Sequence, residues 1–312
     1  MIENQTVVAA SGGVRLDAAL LLAFPSSSRA FVREAIESGM VLVDGRRAVK
    51  GMKLRGGETL EVKSLAEAAD NSVAPNPAVR ARCVFEDDAL LAYDKPAGMP
   101  VQPLSRGETD TLMNGVVAQH PECIPLGDRP LMAGALHRID ADTSGLVLVA
   151  RTADAFAALR SQFSEQSVRK TYLALVEGSV AVGGTLENNL AHDPTLPFCR
   201  MIDCARNRLT RAQRERLKPL HAVTAFRPIA HAQVENEERT LLEVVIYTGV
   251  THQIRAQLAL AGMHIVNDRL YGAFAVEGMT GHCLHALAAN FRHPTTGDET
   301  EIRTDYPYWA KI

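Results

Sequence analysis

The chain has no CxxC pair. Its five cysteines, Cys83, Cys123, Cys199, Cys204 and Cys283, are scattered and odd in number. That argues against a zinc site or a disulfide framework and for reduced thiols in the cytoplasm. Lys and Arg are missing from the first fourteen residues, which also hold no sustained apolar block, so a secretory signal is not expected. The longest apolar run, around residues 18–24, is far too short to span a bilayer. Aromatic residues are few, at 5%, in an otherwise ordinary soluble composition of 46% hydrophobic and 22% charged residues. A positive net charge is lacking too. The formal value of −3 sits poorly with nucleic-acid binding, where phosphate contacts go with a basic surface.

The charge that is present is unevenly spread. Between Arg200 and Lys218, seven basic residues (Arg200, Arg206, Arg208, Arg211, Arg214, Arg216, Lys218) stand against two acidic ones, Asp203 and Glu215. Such a run is either a solvated helical face or a phosphate-contacting segment; the sequence leaves both open.

At 312 residues the chain is long enough for one large domain and a small one. Residues 1–65 read as the small one. Arg15, Leu16 and Asp17 open a helix; Ser28 is placed to cap a second helix over 29–37; Gly39 ends it; a strand starts at Val41; Asp44-Gly45 makes a hairpin turn, and 60–62 closes as a strand. Arg29 and Arg33, four apart, share one helical face. Pairing of Arg33 with Glu37 is the structural alternative to a phosphate contact. Residues 66–80 lack periodicity and carry two prolines, as a linker does. Residues 81–312 alternate short strands (83–85, 89–93, 146–150, 171–176, 222–227, 241–247, 302–304) with helices (110–119, 153–163, 252–261). The expected class is α+β: a mixed, mainly antiparallel sheet with flanking helices, behind a small α/β module.

One stretch dominates the chemistry: His137-Arg138-Ile139-Asp140-Ala141-Asp142-Thr143-Ser144-Gly145. It places a carboxylate behind a His-Arg pair, then a Thr-Ser-Gly turn, then an apolar strand, so that Asp140 sits at a strand edge where a nucleophile is held accurately. Four further segments stand in order along the chain, the first before this stretch and the others after it. They are Tyr93 to Val101 with its Pro-Ala-Gly turn; Arg169-Lys170-Thr171-Tyr172-Leu173-Ala174; Thr248-Gly249-Val250-Thr251-His252-Gln253-Ile254-Arg255; and the pair Asp268-Arg269-Leu270-Tyr271-Gly272 and Leu284-His285-Ala286.

The Asp140 stretch resembles the HRLDxxTSG signature of the RluA-type pseudouridine synthases, the ribosomal large-subunit family of uridine isomerases. The other segments resemble that family's remaining motifs across about residues 84–295, and residues 1–65 resemble an S4 RNA-binding domain. Several spaced matches in order are far harder to reach by chance than one. The implied fold is a pseudouridine synthase domain over 81–312.

The implied reaction breaks the ribose C1′–N1 bond of uridine and remakes it to C5. Nothing is gained or lost, so the resemblance implies no cofactor and no metal. It makes Asp140 the catalytic carboxylate, either adding to C1′ or removing the C2′ proton. It makes Arg255 the buried partner, holding that carboxylate bidentately, since a lone buried carboxylate is costly. Tyr172 becomes the ring beneath the base, with a hydroxyl that can take part in proton removal. Arg138 enters the stack vacated by the flipped uridine, or contacts a phosphate. Arg29 and Arg33 are the RNA-binding residues of the small module. His137, His252 and His285 are expected to be structural.

The implied partner is structured RNA, ribosomal first and transfer RNA second, with no membrane and no obligate protein partner. Two rivals remain. One is a non-catalytic RNA-binding or assembly factor that retains the fold. The other is a hydrolase using Asp140 and Asp142 as a pair, although no metal-ligand set or phosphate loop accompanies them. Departures from the family pattern, with the acidic net charge, motivate the first rival: Val250 in place of arginine, Gln102 and Gln257 in place of histidines and Asn267 in place of glycine, while Ile139 in place of leucine is trivial; intact Asp140, Tyr172 and Arg255 speak against it.

Overall fold

In the computed structural model, residues 1–67, 71–196, 199–205, 209–234 and 237–312 are described. The chain divides into two units, Met1–Ser72 and Val73–Ile312.

The smaller unit is built from β1 (Ile2–Val8), α1 (Leu16–Ala23), α2 (Arg29–Glu37), β2 (Val41–Val43), β3 (Arg46–Arg47) and β4 (Thr59–Leu65). Helix α2 starts where the Ser28 side chain accepts the Phe31 N–H at 3.2 Å. It buries Phe31, Val32, Ala35 and Ile36 and leaves Arg29 and Arg33 exposed on the other face. The carboxylate of Glu37 is taken by Lys50 at 2.8 Å, so the alternative pairing of Arg33 with Glu37 is not adopted. Asp44 and Gly45, at φ 48° and 73°, make the tight turn between β2 and β3 that a twisted hairpin requires. The strands pair in the order β1-β4-β2-β3. Strand β1 had no sequence signal, because its exposed polar centre, Glu3 to Thr6, hides the alternation.

The segment expected as a linker, 66–80, is divided between the units. Residues 68–70 lie outside the described residues. Residues 73–80 are largely exposed but anchored at points: Val73 is 1% exposed, Asn76 Nδ2 donates to Thr109 O at 2.9 Å, and Asn114 Nδ2 donates to Ala74 O at 2.7 Å. Prolines and lost periodicity mark irregular backbone here, fixed by side-chain amides.

The larger unit contains β5 (Arg82–Glu86), β6 (Leu90–Lys95), α3 (Leu112–Gln119), β7 (Ser144–Ala150), α4 (Ala153–Ser164), β8 (Arg169–Glu177), β9 (Gly184–His192), β10 (Met201–Asp203), α5 (Arg211–Leu217), β11 (Leu220–Val234), β12 (Glu237–Ile246), α6 (Gln253–Leu260), β13 (Leu284–Arg292) and β14 (Glu299–Arg303). Its sheet runs β10-β9-β11-β12-β8-β13-β7-β6-β5, with β14 also on β13. Among the described residues β13 and β7 pair in parallel, and the other pairs are antiparallel. This is the mixed, mainly antiparallel sheet that the sequence led us to expect.

Strand β13 was not expected from the sequence, although it is central. Every residue from Leu284 to Ala289 is buried, so no alternation shows, and its three alanines read as helical. Strands β9 and β10 and helix α5 were missed as well. Helix α5, which takes up part of the basic run, buries no residue and is held by Arg211–Glu215 at 3.0 Å. It is therefore a solvated helical face, while Arg206 and Arg208 lie outside the described residues.

Candidate active site

The turn that carries Asp140 is fixed from three sides. His137 Nε2 accepts the Leu148 N–H at 3.1 Å, tying the incoming loop to β7. The Thr143 N–H closes the turn on Asp140 O at 3.1 Å, and the Thr143 hydroxyl bonds His282 Nε2 at 2.7 Å. From beneath, fully buried Lys95 donates to the carbonyls of Pro96, Met99 and Ala141 at 2.8, 2.6 and 2.9 Å. The Gly98 N–H reaches the Ala141 carbonyl as well, at 2.9 Å. The Pro-Ala-Gly element is thus the structural turn that was expected, and what it holds is the carbonyl of Ala141, the residue after Asp140. Gly145, at φ +109°, lies where any Cβ would run into the backbone of Ala286. Only glycine lets β13 approach β7 this closely.

Arg255 lies on the first turn of α6 and is 7% exposed. Its Nη1 donates to Asp140 Oδ2 at 2.7 Å. The bidentate pairing expected between these two is not formed. The Nε/Nη2 edge of the guanidinium is taken instead by Asp268, at 2.7 and 2.8 Å, and Asp268 is 2% exposed. One planar fork therefore serves two carboxylates, with one arm left for Asp140. Burial opposes the charge on Arg255, but Asp268 first and Asp140 second hold its pKa above the ordinary range. The Tyr271 ring lies 5.2 Å from the guanidinium.

His252, expected to be purely structural, comes to 3.6 Å from Asp140 Oδ2, while its Nδ1 meets the Tyr271 hydroxyl at 3.2 Å. Asp140 Oδ1 has no protein partner among the described residues. His137 and His285 are structural as expected: His285 is held between Ser144 and Thr304, both at 2.8 Å.

These groups open into one cavity of about 530 Å³, lined by Asp140, Arg255, Tyr172 and Arg138 among others. Tyr172, in the middle of β8, is 7% exposed. Burial, and then the charge of Asp140, raise its hydroxyl pKa. Five cations line the cavity (Arg129, Arg138, Arg160, Lys170, Arg255) with Asp140 as the one acidic residue. Two of these cations are paired outside the lining, Arg255 with Asp268 and Arg160 with Asp128 at 2.9 Å, so a net charge of −3 coexists with a modestly positive pocket, and the field at the site is what an anionic ligand meets.

Of the expected site residues, Asp140, Tyr172, Arg255 and Arg138 meet in this cavity, while Arg29 and Arg33 belong to the other unit. Asp268, Tyr271 and Lys170 lie within the motifs, but their place in the sequence points to no role. Acid and arginine thirteen residues apart, on separate elements, carry no local sign of pairing.

Two of the departures are explained by packing. Gln257, fully buried, accepts from Thr224 Oγ1 at 2.6 Å and donates to Asn188 Oδ1 and Ala222 O, both at 3.0 Å; it ties α6 to β9 and β11. Asn267 adopts φ +65°, and its amide bonds Val276 N, Met279 O and Gly281 O. It tolerates the left-handed backbone and staples the loop that leads to His282. Val250 packs, half-buried, against an apolar cluster with Leu190 and Tyr271. Nothing in the structure explains Gln102. Among the described residues no group of three or more His, Cys, Asp or Glu is arranged to hold a metal ion.

Comparison with known proteins identifies the family. The RNA pseudouridylate synthase family profile matches residues 89–260, and the S4 domain profile matches 14–60. The chain is 33% identical to the ribosomal large subunit pseudouridine synthase D of Xanthomonas campestris pv. campestris, over 98% of this chain and 89% of that one. It is 30% identical to the protein of the same name from Escherichia coli O157:H7, over 95% and 88%. Among solved structures, human RNA pseudouridylate synthase domain containing 1 superposes with a TM-score of 0.58 at 22% identity. That match covers 75% of this chain and 86% of the human one, and it shows the shared fold. With an S4 domain ahead of its large unit, the chain belongs to the RNA pseudouridylate synthase family.

Proposed function

We propose that this RNA pseudouridine synthase converts uridines of large-subunit ribosomal RNA to pseudouridine, with Asp140 as the reacting carboxylate. The observation that carries this reading is the asymmetry at Asp140. Oδ2 is fixed by Arg255 at 2.7 Å, while Oδ1 has no protein partner among the described residues and faces a cavity lined by several cations. A free oxygen on a positioned carboxylate serves either route, addition to C1′ or removal of the C2′ proton. The Tyr172 ring forms an apolar wall for the flipped base, which must leave its helix at a cost of roughly a few kcal/mol. Exposed Arg138 and Arg129 stand where phosphates or a vacated stack are met. Arg29 and Arg33 serve the S4 unit in the same way. The ribosomal assignment rests on the relatives, which are named for the large subunit. Among the described residues no helix is long and apolar enough to cross a membrane.

The test is tritium release from RNA labelled at uridine C5, comparing wild type with Asp140→Asn on ribosomal and transfer RNA. Release from ribosomal RNA that vanishes in the variant supports the proposal. Release from transfer RNA alone reassigns the substrate, and release by Asp140→Asn above a few per cent removes Asp140 from the chemistry.

A further inference from the structure

The larger unit contains two buried lysines, and they are satisfied differently. Lys95 gives all three ammonium hydrogens to backbone carbonyls; it is a closed clamp. Lys170, 8% exposed, donates to a single acceptor, Thr248 O at 2.7 Å. Its ammonium lies 5.6 Å from the centroid of the Phe163 ring, and no carboxylate pairs with it among the described residues. An ammonium has three donors, so two remain for something else. Burial, with no anion to offset it, pushes its pKa down to about 8. Its neighbour His137 adds no charge, because burial and then Lys170 itself push that ring down to about 3. An underused buried cation is costly unless an occupant completes it. The Lys170 side chain lines the same cavity as Asp140 and Tyr172.

We infer that Lys170 contacts the target base, giving a hydrogen bond and its positive charge to a carbonyl oxygen of the uracil. This rests on the reading of Asp140 and Tyr172 above. Lys170 and Tyr172 stand two apart on β8, on one face of the strand and about 6.6 Å apart along it, roughly the span of a uracil with its oxygens. A base lying on Tyr172 with its sugar at Asp140 therefore directs an oxygen towards Lys170. Phosphates remain outside the buried part of the cavity, beside exposed Arg129 and Arg138.

The charge has a role in the reaction. When C1′–N1 breaks, its electron pair stays with the uracil, spread over N1 and the two carbonyl oxygens. The pair, which conjugation also places on C5, is used again when C5 bonds to C1′; C5 then loses its proton and N1 gains one, so that no proton is gained or lost overall. Lys170 stabilises the detached anion between these steps and is itself unchanged. Such an interaction is strongest once the bond has opened, so it raises turnover more than affinity.

The experiment compares wild type with Lys170→Met and Lys170→Gln on an RNA that the wild type modifies, transcribed with uridine or with 5-fluorouridine. Single-turnover rate, RNA Kd and thermal unfolding are recorded for each; on 5-fluorouridine RNA, whose C5 has no proton to lose, the rate is that at which the C1′–N1 bond opens and the starting nucleoside disappears. Fluorine stabilises the uracil anion and makes it less dependent on the ammonium. The rate of Lys170→Met on uridine RNA is expected to fall about 10²–10³-fold, with Kd within about threefold of wild type. The loss on 5-fluorouridine RNA is expected to be clearly smaller. Lys170→Gln, which can still donate to the Thr248 carbonyl, should lose rate with the same base dependence, and it carries the test if Lys170→Met does not fold. Equal losses on both RNAs, or full activity in Lys170→Gln, would show only a tether to Thr248 and overturn the inference, as would an unchanged rate. A wild type that releases no C5 tritium overturns the reaction reading itself; an active wild type with unaffected variants overturns only the Lys170 assignment.

Discussion

Asp268 holds Arg255 by two hydrogen bonds, at 2.7 and 2.8 Å, on the edge of the guanidinium that does not face Asp140. The two carboxylates therefore have unequal duties. Asp268, almost wholly buried, sets the orientation of the fork, and Asp140, with its side chain 27% exposed, receives the arm that is left.

Asp140→Asn is expected to abolish turnover yet leave stability within about 1 kcal/mol of wild type, because Arg255 keeps Asp268 and no buried charge is orphaned. Asp268→Asn should do the reverse in stability. It breaks a buried pair and costs about 3 kcal/mol, while turnover falls about 10–100-fold as Arg255 loses its orientation. Urea unfolding and tritium release measured on both proteins check this, and equal stability losses would remove the division of roles.

At Asn267, the left-handed backbone and the amide bonds can be separated. Asn267→Gly keeps the conformation and loses the bonds; Asn267→Ala loses both. The stability order should be wild type, then Asn267→Gly, then Asn267→Ala, with the last two about 1 kcal/mol apart. If thermal unfolding places Asn267→Ala above Asn267→Gly, the backbone carries no cost there.

Burial pushes His137 down to about 3 and His282 and His285 down to about 4. In the unfolded chain these rings protonate near the ordinary value of about 6.5. Between those values the unfolded state binds more protons, so stability is full above about pH 7 and declines as the pH falls towards 4. Each ring adds a slope of up to about 1.4 kcal/mol per pH unit in that window. Urea unfolding at pH 7.5, 6 and 5 should show the decline, and a flat profile would mean that the rings charge in the folded state.

Arg29 and Arg33 are exposed, on one face of α2. Replacing both with Ala should weaken RNA binding and make the slope of log affinity against log salt shallower by about one to two. The rate at saturating RNA should stay unchanged. An unaltered slope would place the phosphate contacts of the S4 unit elsewhere.

Much of this was legible in one dimension because the signals are local. The cap at Ser28, the turn at Asp44-Gly45, the break at Gly39 and the apolar strand after Asp140 each need only a few neighbouring residues. The motif order brought Asp140, Tyr172 and Arg255 together before any coordinates. Strand β13 stayed hidden because a strand buried on both faces has no period of two. The anchoring of residues 73–80 stayed hidden because its hydrogen bonds go to Thr109 and Asn114, thirty-three and forty residues along the chain.

By itself, then, the sequence determined the class of fold, the family motifs and the places of Asp140 and Arg255 within them, since these follow from periodicity, turn chemistry and an ordered set of motifs. Only the tertiary structure decided how the charges are shared. It gave Arg255 to Asp268 on one edge and to Asp140 on the other, saturated Lys95 while leaving Lys170 with one acceptor, and gathered five cations around a cavity in a chain of net negative charge. Hydrogen-bond valence and burial are properties of atoms that meet in space. Residues far apart along the chain do not reveal which of them will share a partner until the sheet has brought them together.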